Sequence, residues 1–342
     1  MPQPEPAELF FGMTTKTMDF CNRIGVEIPV VQAGMGGGIA APELAGIVSA
    51  RGGLGTIGIM DVHSFDGALG RARDIAGAHR PLAANLIVPF TRPGHLAACV
   101  RHGVAVVTFI GGTGRRWIEP LHERGILVHV TVGNPAQARH AMAAGADGLV
   151  AQGIESGGHH MAVEPIADAL PRILEVAEGR PVLAAGGVAD AEDVRRLLAA
   201  GAAAVVSGTR FLLTHESAAH PEYKRRVLVA TRTLRTLLFS FGWSLPHRVI
   251  PNAATQRWCR RDDLGPLWIR TAGQITQPIN NLLPLANIAR SQRVGRGIFT
   301  PTLPLRSMPD AYVDCTALYA GESMHRMHEV LSAADALAHL TP

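Results

Sequence analysis

Short apolar segments alternate with segments of helical period along the first two thirds of the chain. Eight candidate strands recur between about residues 28 and 209, and most of them are apolar on both faces. Strands of this kind are typical of a buried parallel sheet whose two sides are covered by helices. The candidate strands span 28–34, 53–58, 81–88, 104–109, 126–131, 148–152, 181–185 and 204–207.

The segments between these strands carry residues that begin and end helices. Pro42 lies at a first-turn position, Asn134 and Pro135 read as N-cap and first helical residue, and Asp190 reads as another N-cap. Several helices are predicted to end at a glycine just before the next strand, namely Gly52, Gly103, Gly125, Gly145 and Gly201. Eight β/α units in succession predict an α/β fold of the (β/α)8 TIM barrel type. A doubly wound open sheet is the alternative, but the first strand lacks a full G-x-G-x-x-G fingerprint.

The alternation stops after about residue 215, which predicts a second, smaller region. We expect residues 1–230 to form the barrel and residues 231–306, rich in proline, tryptophan and amides, to form a smaller inserted domain or lid. Residues 307–342 are expected to return to the barrel, with a helix over residues 319–340.

Composition narrows the class of protein further. The chain has 342 residues, 47% of them hydrophobic and 18% charged, so it can bury a large core. Aromatic residues make up only 5%, which disfavours a surface that stacks nucleic-acid bases. The net charge of +4 comes from scattered arginines, which indicates solvated faces first and an anionic small-molecule ligand second.

Cysteine usage and hydropathy predict a cytoplasmic protein. The four cysteines are far apart and show no metal-type spacing, so we expect free thiols and no metal site. The N-terminal residues lack the basic start of a signal peptide. No apolar run approaches the roughly 20 residues that span a bilayer, so no membrane partner is expected.

Glycine-rich turns follow the last two predicted barrel strands. Gly186 and Gly187 follow the seventh strand, and Gly208 and Thr209 follow Ser207 at the end of the eighth. These turns can be read simply as tight connections between strand and helix. In a TIM barrel, however, the loops after strands 7 and 8 are the usual phosphate site, and exposed backbone amides there bind anions. Two such turns in neighbouring units favour a phosphate-binding site.

The stretch QGIESGGHHM (Gln152–Met161) leaves the sixth strand beside this predicted site. Its glycines allow the backbone to lie flat against a planar ligand, and a histidine beyond them can act as a base or donor. Adjacent side chains point apart, so at most one histidine is expected in the site. Both could instead be surface residues, and the pair alone is weak evidence for a metal.

The motifs taken together resemble the nitronate monooxygenase family, which are FMN-dependent TIM barrels. The resemblance runs through IPVVQAGMGGG, RGGLGTIG, AANLIVPF, QGIESGGH, PVLAAGGV and SGTRFLLTHES, and beyond the barrel through GWSLPHRVIPNA and LYAGES. The ordered set covers nearly the whole chain. It implies an FMN-dependent oxidoreductase.

The resemblance also implies roles for particular residues. His159 would be the catalytic residue, and His160 would occupy a variable position. Residues expected to bind FMN are Gly34, Met35, Gly36, Asn85, Gln152, Gly157, Gly158, Gly186, Gly187, Ser207, Gly208 and Thr209. Two features depart from the family pattern, namely Ser156 and Met161 around the Gly-Gly-His element and FIGGTG after the fourth strand. FMN binding is still expected despite these departures. They bear on the side of the site that would contact substrate, so the resemblance does not define the substrate.

The expected reaction is oxidation of an alkyl nitronate by FMN and O2, giving a carbonyl compound and nitrite. An NAD(P)H:quinone reductase or an FMN-dependent enoyl-thioester reductase is the alternative on the same scaffold. A non-redox barrel that binds a phosphorylated ligand is the alternative of another class. The sequence leaves open whether NAD(P)H reduces the flavin and whether the chain forms a homodimer.

Overall fold

The computed structural model of the protein describes residues 14–282 and 285–342. Its strands in chain order are β1 (Val30–Gln32), β2 (Gly55–Gly58), β3 (Leu82–Ile87), β4 (Val106–Ile110), β5 (Leu127–Val132), β6 (Gly148–Gln152), β7 (Gly158–His159), β8 (Val182–Ala185), β9 (Ala204–Ser207), β10 (Leu234–Thr236) and β11 (His247–Val249).

The helices of the barrel region are α1 (Thr15–Ile24), α2 (Pro42–Ala50), α3 (Val62–Ala76), α4 (Pro93–Arg101), α5 (Arg115–His122), α6 (Pro135–Ala143), α7 (Ile166–Val176), α8 (Ala191–Ala199) and α9 (Thr209–Leu212). They are followed by α10 (Pro221–Val229), α11 (Ala253–Trp258), α12 (Leu267–Thr276), α13 (Leu285–Ser291) and α14 (Ala333–Leu340). Short 3-10 helices span Val88–Phe90, Gln277–Leu282, Asp310–Tyr312 and Glu322–Arg326. None of the helices within the described residues is long and apolar enough to cross a membrane.

Eight parallel strands form the barrel that the sequence predicts. Their order is β1-β9-β8-β6-β5-β4-β3-β2, and a parallel bridge between Val31 and Leu54 joins the two ends of the sheet. All eight predicted strands are present, most with slightly shorter bounds. The (β/α)8 prediction is therefore confirmed, and the open-sheet alternative is wrong because β1 is bonded on both sides.

Two apolar layers hold the barrel together. The larger one lies between the strands and the surrounding helices and includes Leu44, Phe65 and Phe109, all fully buried. The smaller one fills the barrel interior, where Phe20 of α1 packs against residues such as Leu54 and Val106 near the N-terminal ends of the strands. Helix α1 therefore plugs the end of the barrel opposite the loops that follow the strands.

The chain divides into two compact units. Among the described residues, one contains the barrel and consists of 14–154, 161–217 and 331–342; the other consists of 155–160, 218–282 and 285–330. The divisions fall after residues 217 and 330, whereas the predicted boundaries lie after 230 and 306. The second unit contains a small antiparallel sheet in the order β10-β11-β7.

The C-terminal segment differs from the predicted helix over 319–340. Only Ala333–Leu340 forms an α-helix, preceded by the 3-10 helix Glu322–Arg326. Ser332 caps α14 by accepting the Asp335 amide, and the backbone of Leu331 bonds to Leu213. These bonds hold the residues before Ser332 in an extended conformation. The apolar period of the sequence therefore predicts a longer helix than the one present. Helix α14 packs against α2 and α8.

One substitution tests the close packing of α2 on β2. A Cβ atom added at Gly55 would lie 1.8 Å from the carbonyl oxygen of Ala45, so the helix backbone itself would have to move. We expect Gly55→Ala to lower the free energy of unfolding by about 3 kcal/mol. Thermal denaturation monitored by circular dichroism measures the change.

The matched control is Gly67→Ala in α3, where an added Cβ would meet no heavy atom within 4 Å. Alanine is the better helix former, so this variant should gain up to about 1 kcal/mol. A Gly55→Ala protein as stable as wild type would contradict the packing described for α2 and β2.

Candidate functional site

The loop after β1 lies directly over the ends of β2 and β3. A Cβ at Gly34 would lie 2.3 Å from the Cβ of Asn85, and the Asn85 Nδ2 donates a hydrogen bond to the Gly34 carbonyl at 3.0 Å. A Cβ at Gly58 would lie 2.5 Å from the backbone of Met35. Because only glycine allows these approaches, Gly34 lies beside Asn85, and the backbone of Met35 and Gly36 lies beside Gly58.

Three buried side-chain oxygens on barrel strands have no hydrogen-bond partner within the described residues. They are Oγ1 of Thr56 in β2, Oδ1 of Asn85 in β3 and Oγ of Ser207 in β9. Buried polar atoms are almost always paired with protein, water or a ligand. Their unmet bonding capacity fits a polar ligand bound at these strands.

The loops after β8 and β9 have the backbone shape expected of a phosphate site, with one difference from the sequence prediction. Gly186 and Gly187 have φ angles of +119° and +72°, a region that favours glycine. At the N-terminus of α8 the Glu192 and Asp193 amides are not free, because the Asp190 side chain accepts both. An anion would therefore be bound by the glycine backbone and by the Ser207–Thr209 turn.

Gln152 has a structural role besides any contact with a ligand. Its Oε1 accepts the Met161 amide at 2.7 Å, and the Ile154 amide donates to the Glu164 carbonyl at 2.9 Å. These two bonds hold together the two ends of the loop formed by residues 155–160. A Cβ at Gly133 would lie 2.1 Å from the Met161 carbonyl oxygen, so the segment after β5 packs closely against the end of this loop.

The loop of residues 155–160 belongs to the second unit. The predicted site residues are therefore divided between the two units. Gly158 and His159 form β7, which pairs with β11 through His159↔His247 and Gly158↔Arg248. A Cβ at Gly157 would lie 2.7 Å from the backbone of Ala320, and Gly158 has a φ of +80°. Both glycines are therefore required by local packing and backbone shape in this unit.

His159 lies in a cluster of aromatic rings. Its imidazole stacks on the Trp243 indole with 3.9 Å between ring centroids and an interplanar angle of 28°. His247 and Tyr319 lie at 5.1 and 5.3 Å from it. His247 is itself fixed, since its Nδ1–H donates to the Leu245 carbonyl and its Nε2 accepts the Phe239 amide. The cluster fixes the orientation of the His159 ring.

This environment keeps His159 neutral. Desolvation lowers the pKa of His159 well below its ordinary value of 6.5, and the nearby His247 and His160 lower it further. Burial also lowers the pKa of His247 to about 4. A neutral imidazole near pH 7 can accept a proton at one nitrogen and donate a hydrogen bond from the other.

His160 points away from this cluster, as adjacent strand residues do. It is 3% exposed, and its Nε2 bonds to the Ser156 carbonyl at 2.7 Å. His129 of β5 is also buried, with its ring centroid 6.4 Å from that of Phe20 on α1.

The sequence did not single out Trp243, His247 or Tyr319. Two of them fall in GWSLPHRVIPNA and the third in LYAGES, segments that carried only a general resemblance. Their assembly around His159 depends on the pairing of β7 with β11, which joins residues about ninety positions apart. No local pattern reports such a pairing.

A closed barrel of eight parallel strands, with glycine-containing turns after β8 and β9, defines a fold of the TIM-barrel class. The sequence model described as nitronate monooxygenase matches residues 94–342, which is more than half of the chain. The chain therefore belongs to the nitronate monooxygenase family, and it is an oxidoreductase.

Three relatives indicate the range of this family. The chain is 34% identical to a nitronate monooxygenase of Pseudomonas aeruginosa over 68% of its length and 79% of that protein. It is 34% identical, over 66% of its length and 64% of the relative, to a (3aS,4S,5R,7aS)-5-hydroxy-7a-methyl-1-oxo-octahydro-1H-indene-4-carboxyl-CoA dehydrogenase of Mycobacterium tuberculosis. The solved nitroalkane oxidase of Streptomyces ansochromogenes superposes with a TM-score of 0.72 at 26% identity, covering 94% of this chain and 96% of that one.

Buried histidines predict how stability depends on pH. His129, His160 and His247 have pKa values of about 4, and that of His159 is also lowered, so the unfolded chain binds more protons below its ordinary pKa of 6.5. Stability should therefore fall as the pH drops from about 6.5 to about 4, by up to ~1.4 kcal/mol per pH unit for each histidine.

Melting temperatures measured at several pH values test this dependence. His160→Gln should reduce the loss of stability between about pH 6.5 and 5, since one titrating group is removed. His140→Gln, at an exposed position on α6, should leave the slope unchanged. A melting temperature that is constant across this range would be inconsistent with neutral, buried histidines.

Proposed function

We propose that the protein is an FMN-dependent nitronate monooxygenase, which oxidises an alkyl nitronate with O2 to a carbonyl compound and nitrite. The observation that carries the proposal is the set of unpartnered oxygens of Thr56, Asn85 and Ser207 on three barrel strands. They lie in a chain that belongs to the nitronate monooxygenase family and has the fold of a nitroalkane oxidase.

The barrel residues fit the parts of FMN. Ser207, Gly208 and Thr209 would hold the phosphate together with the glycines after β8. The Asn85 amide and the Gln152 side chain would bind the polar edge of the flavin and the ribityl chain, while the backbone around Met35 would lie beside the ring system. In the second unit, Gly157 and Gly158 are the other residues expected at the cofactor. An anionic phosphate suits exposed backbone amides.

His159 is the residue that we propose to bind substrate. When bound, FMN would supply the redox chemistry, accepting reducing equivalents from the substrate and delivering them to O2. A nitronate is already an anion, so the His159 N–H would donate a hydrogen bond to a nitro oxygen. For a neutral nitroalkane, the unprotonated ring nitrogen would take the α-proton. Stacking on Trp243 keeps the ring oriented for either role.

A CoA thioester is the second candidate substrate, acted on by an FMN-dependent reductase or dehydrogenase. The mycobacterial relative named as a carboxyl-CoA dehydrogenase favours it. A nicotinamide cofactor would then be the source or acceptor of electrons. The two candidate functions differ in the compound that reduces the flavin, which is a nitronate in the first and a nicotinamide cofactor in a reductase of the second kind. This difference can be tested directly.

The central test compares reduction by NADPH with reduction by substrate. We expect anaerobic NADPH to leave the visible flavin absorption unchanged and an alkyl nitronate to bleach it, with O2 uptake and nitrite release in air. Prompt bleaching of the flavin absorption by NADPH, with no nitronate-dependent O2 uptake, would instead favour a CoA thioester as the substrate.

The role of His159 is tested with the same assay. His159→Gln should lower kcat/KM for a neutral nitroalkane by about 10²–10⁴-fold, the range for losing a general base. The loss should be smaller for the preformed nitronate, which has no proton to give up. The exposed variant His140→Gln is the control, and both proteins should contain equal flavin. Equal activity of the two variants would exclude His159 as the base.

A further inference from the structure

The three-stranded sheet of the second unit has two chemically different faces. His159 and His247 are cross-strand partners on the face that carries the aromatic cluster. Side chains alternate along a strand, so Arg248 and Arg235 lie on the opposite face, and His160 just beyond β7 lies on that face too. None of these three residues has a role in the reaction proposed above.

Arg235 and Arg248 oppose each other directly in the register of β10 and β11. Like charges directly opposite on one face are destabilising. Arg248 is also buried, at 7% exposure. It donates to the Thr233 hydroxyl and pairs with Glu322 at 2.8 Å, while that carboxylate is half exposed. The nearby Glu155 adds negative charge around Arg248. The two arginines are thus held together on one small face.

Unpartnered polar atoms occur on Arg235, on His160 and on Ser156, whose carbonyl His160 bonds. Within the described residues, His160 Nδ1, Ser156 Oγ and Arg235 Nε are buried and have no hydrogen-bond partner. His160 and Ser156 are only 3% and 9% exposed. Several unmet polar groups around two guanidinium groups are typical of a site for an ion or ordered water.

The donors present favour an oxyanion. Two guanidinium groups and a hydroxyl can bind carboxylate or phosphate oxygens, and arginine is the residue best suited to both. We propose that Arg235, Arg248, Ser156 and His160 form a binding site for a carboxylate or phosphate group of a small-molecule ligand. The site is separate from the phosphate loops of the barrel and does not depend on the proposed reaction.

Proton uptake would accompany binding. Burial lowers the pKa of His160 to about 4, and the charges of Arg248 and Arg235 contribute to that lowering. The charged groups around it are those two arginines, with Glu322 and Glu155 near Arg248. A bound anion would offset the positive charge and accept a hydrogen bond from a protonated Nδ1. Binding should therefore raise the pKa of His160.

The test is a titration of the holoprotein, labelled at histidine, with inorganic phosphate and separately with acetate. The His160 ring signals are followed by NMR, assigned through their loss in His160→Gln. Ionic strength is held constant with chloride. We expect a saturable shift of these signals and a rise in the His160 pKa. The anion that binds more tightly identifies phosphate or carboxylate as the preferred group.

Two arginine variants make the test specific. Arg235→Gln should weaken anion binding at least about tenfold, since it removes a charge-assisted donor. Arg260→Gln removes an exposed arginine of the same unit and should leave the affinity unchanged. Signals that respond to neither anion, or equal affinities in the two variants, would overturn the proposal and leave ordered water as the partner of these atoms. Because the signals belong to His160, this result does not depend on whether nitronates are substrates.

Discussion

The common direction of eight barrel strands is the constraint on which the rest of the structure depends. Parallel strands place all of their C-terminal ends, and the loops that follow them, at one end of the barrel. The other end is filled by Phe20 and its neighbours on α1. Residues far apart in the chain, such as Asn85 and Ser207, therefore present polar atoms at the same end, and a ligand can be bound there without any one motif being complete.

Glycines make this arrangement compatible with close packing. Gly34 allows the loop after β1 to approach Asn85, and Gly58 allows it to approach the end of β2. The same residue type serves a different purpose in the second unit, where Gly157 packs against Ala320 and Gly158 needs a positive φ. Each glycine of these motifs is thus explained by the lack of space for a side chain or by its backbone conformation.

The barrel could be predicted from the sequence because its signal is local. Apolar runs such as 148–152 and helix caps such as Asn134 and Asp190 act within a few residues, and the structure reproduces them. The surroundings of His159 could not be predicted, because Trp243 and Tyr319 meet it only through long-range strand pairing. The C-terminal helix was overpredicted because Ser332 starts it late, against the apolar period that precedes it.

The proposed function requires that the C-terminal end of the barrel binds FMN. The most direct measurement is the visible absorption spectrum of the purified protein, followed by chromatographic identification of the chromophore released on denaturation. We expect flavin bands and FMN in a ratio of about one per chain, because each barrel has one predicted phosphate site. A colourless protein that takes up no added FMN would contradict it and favour a barrel that binds a phosphorylated ligand without redox chemistry.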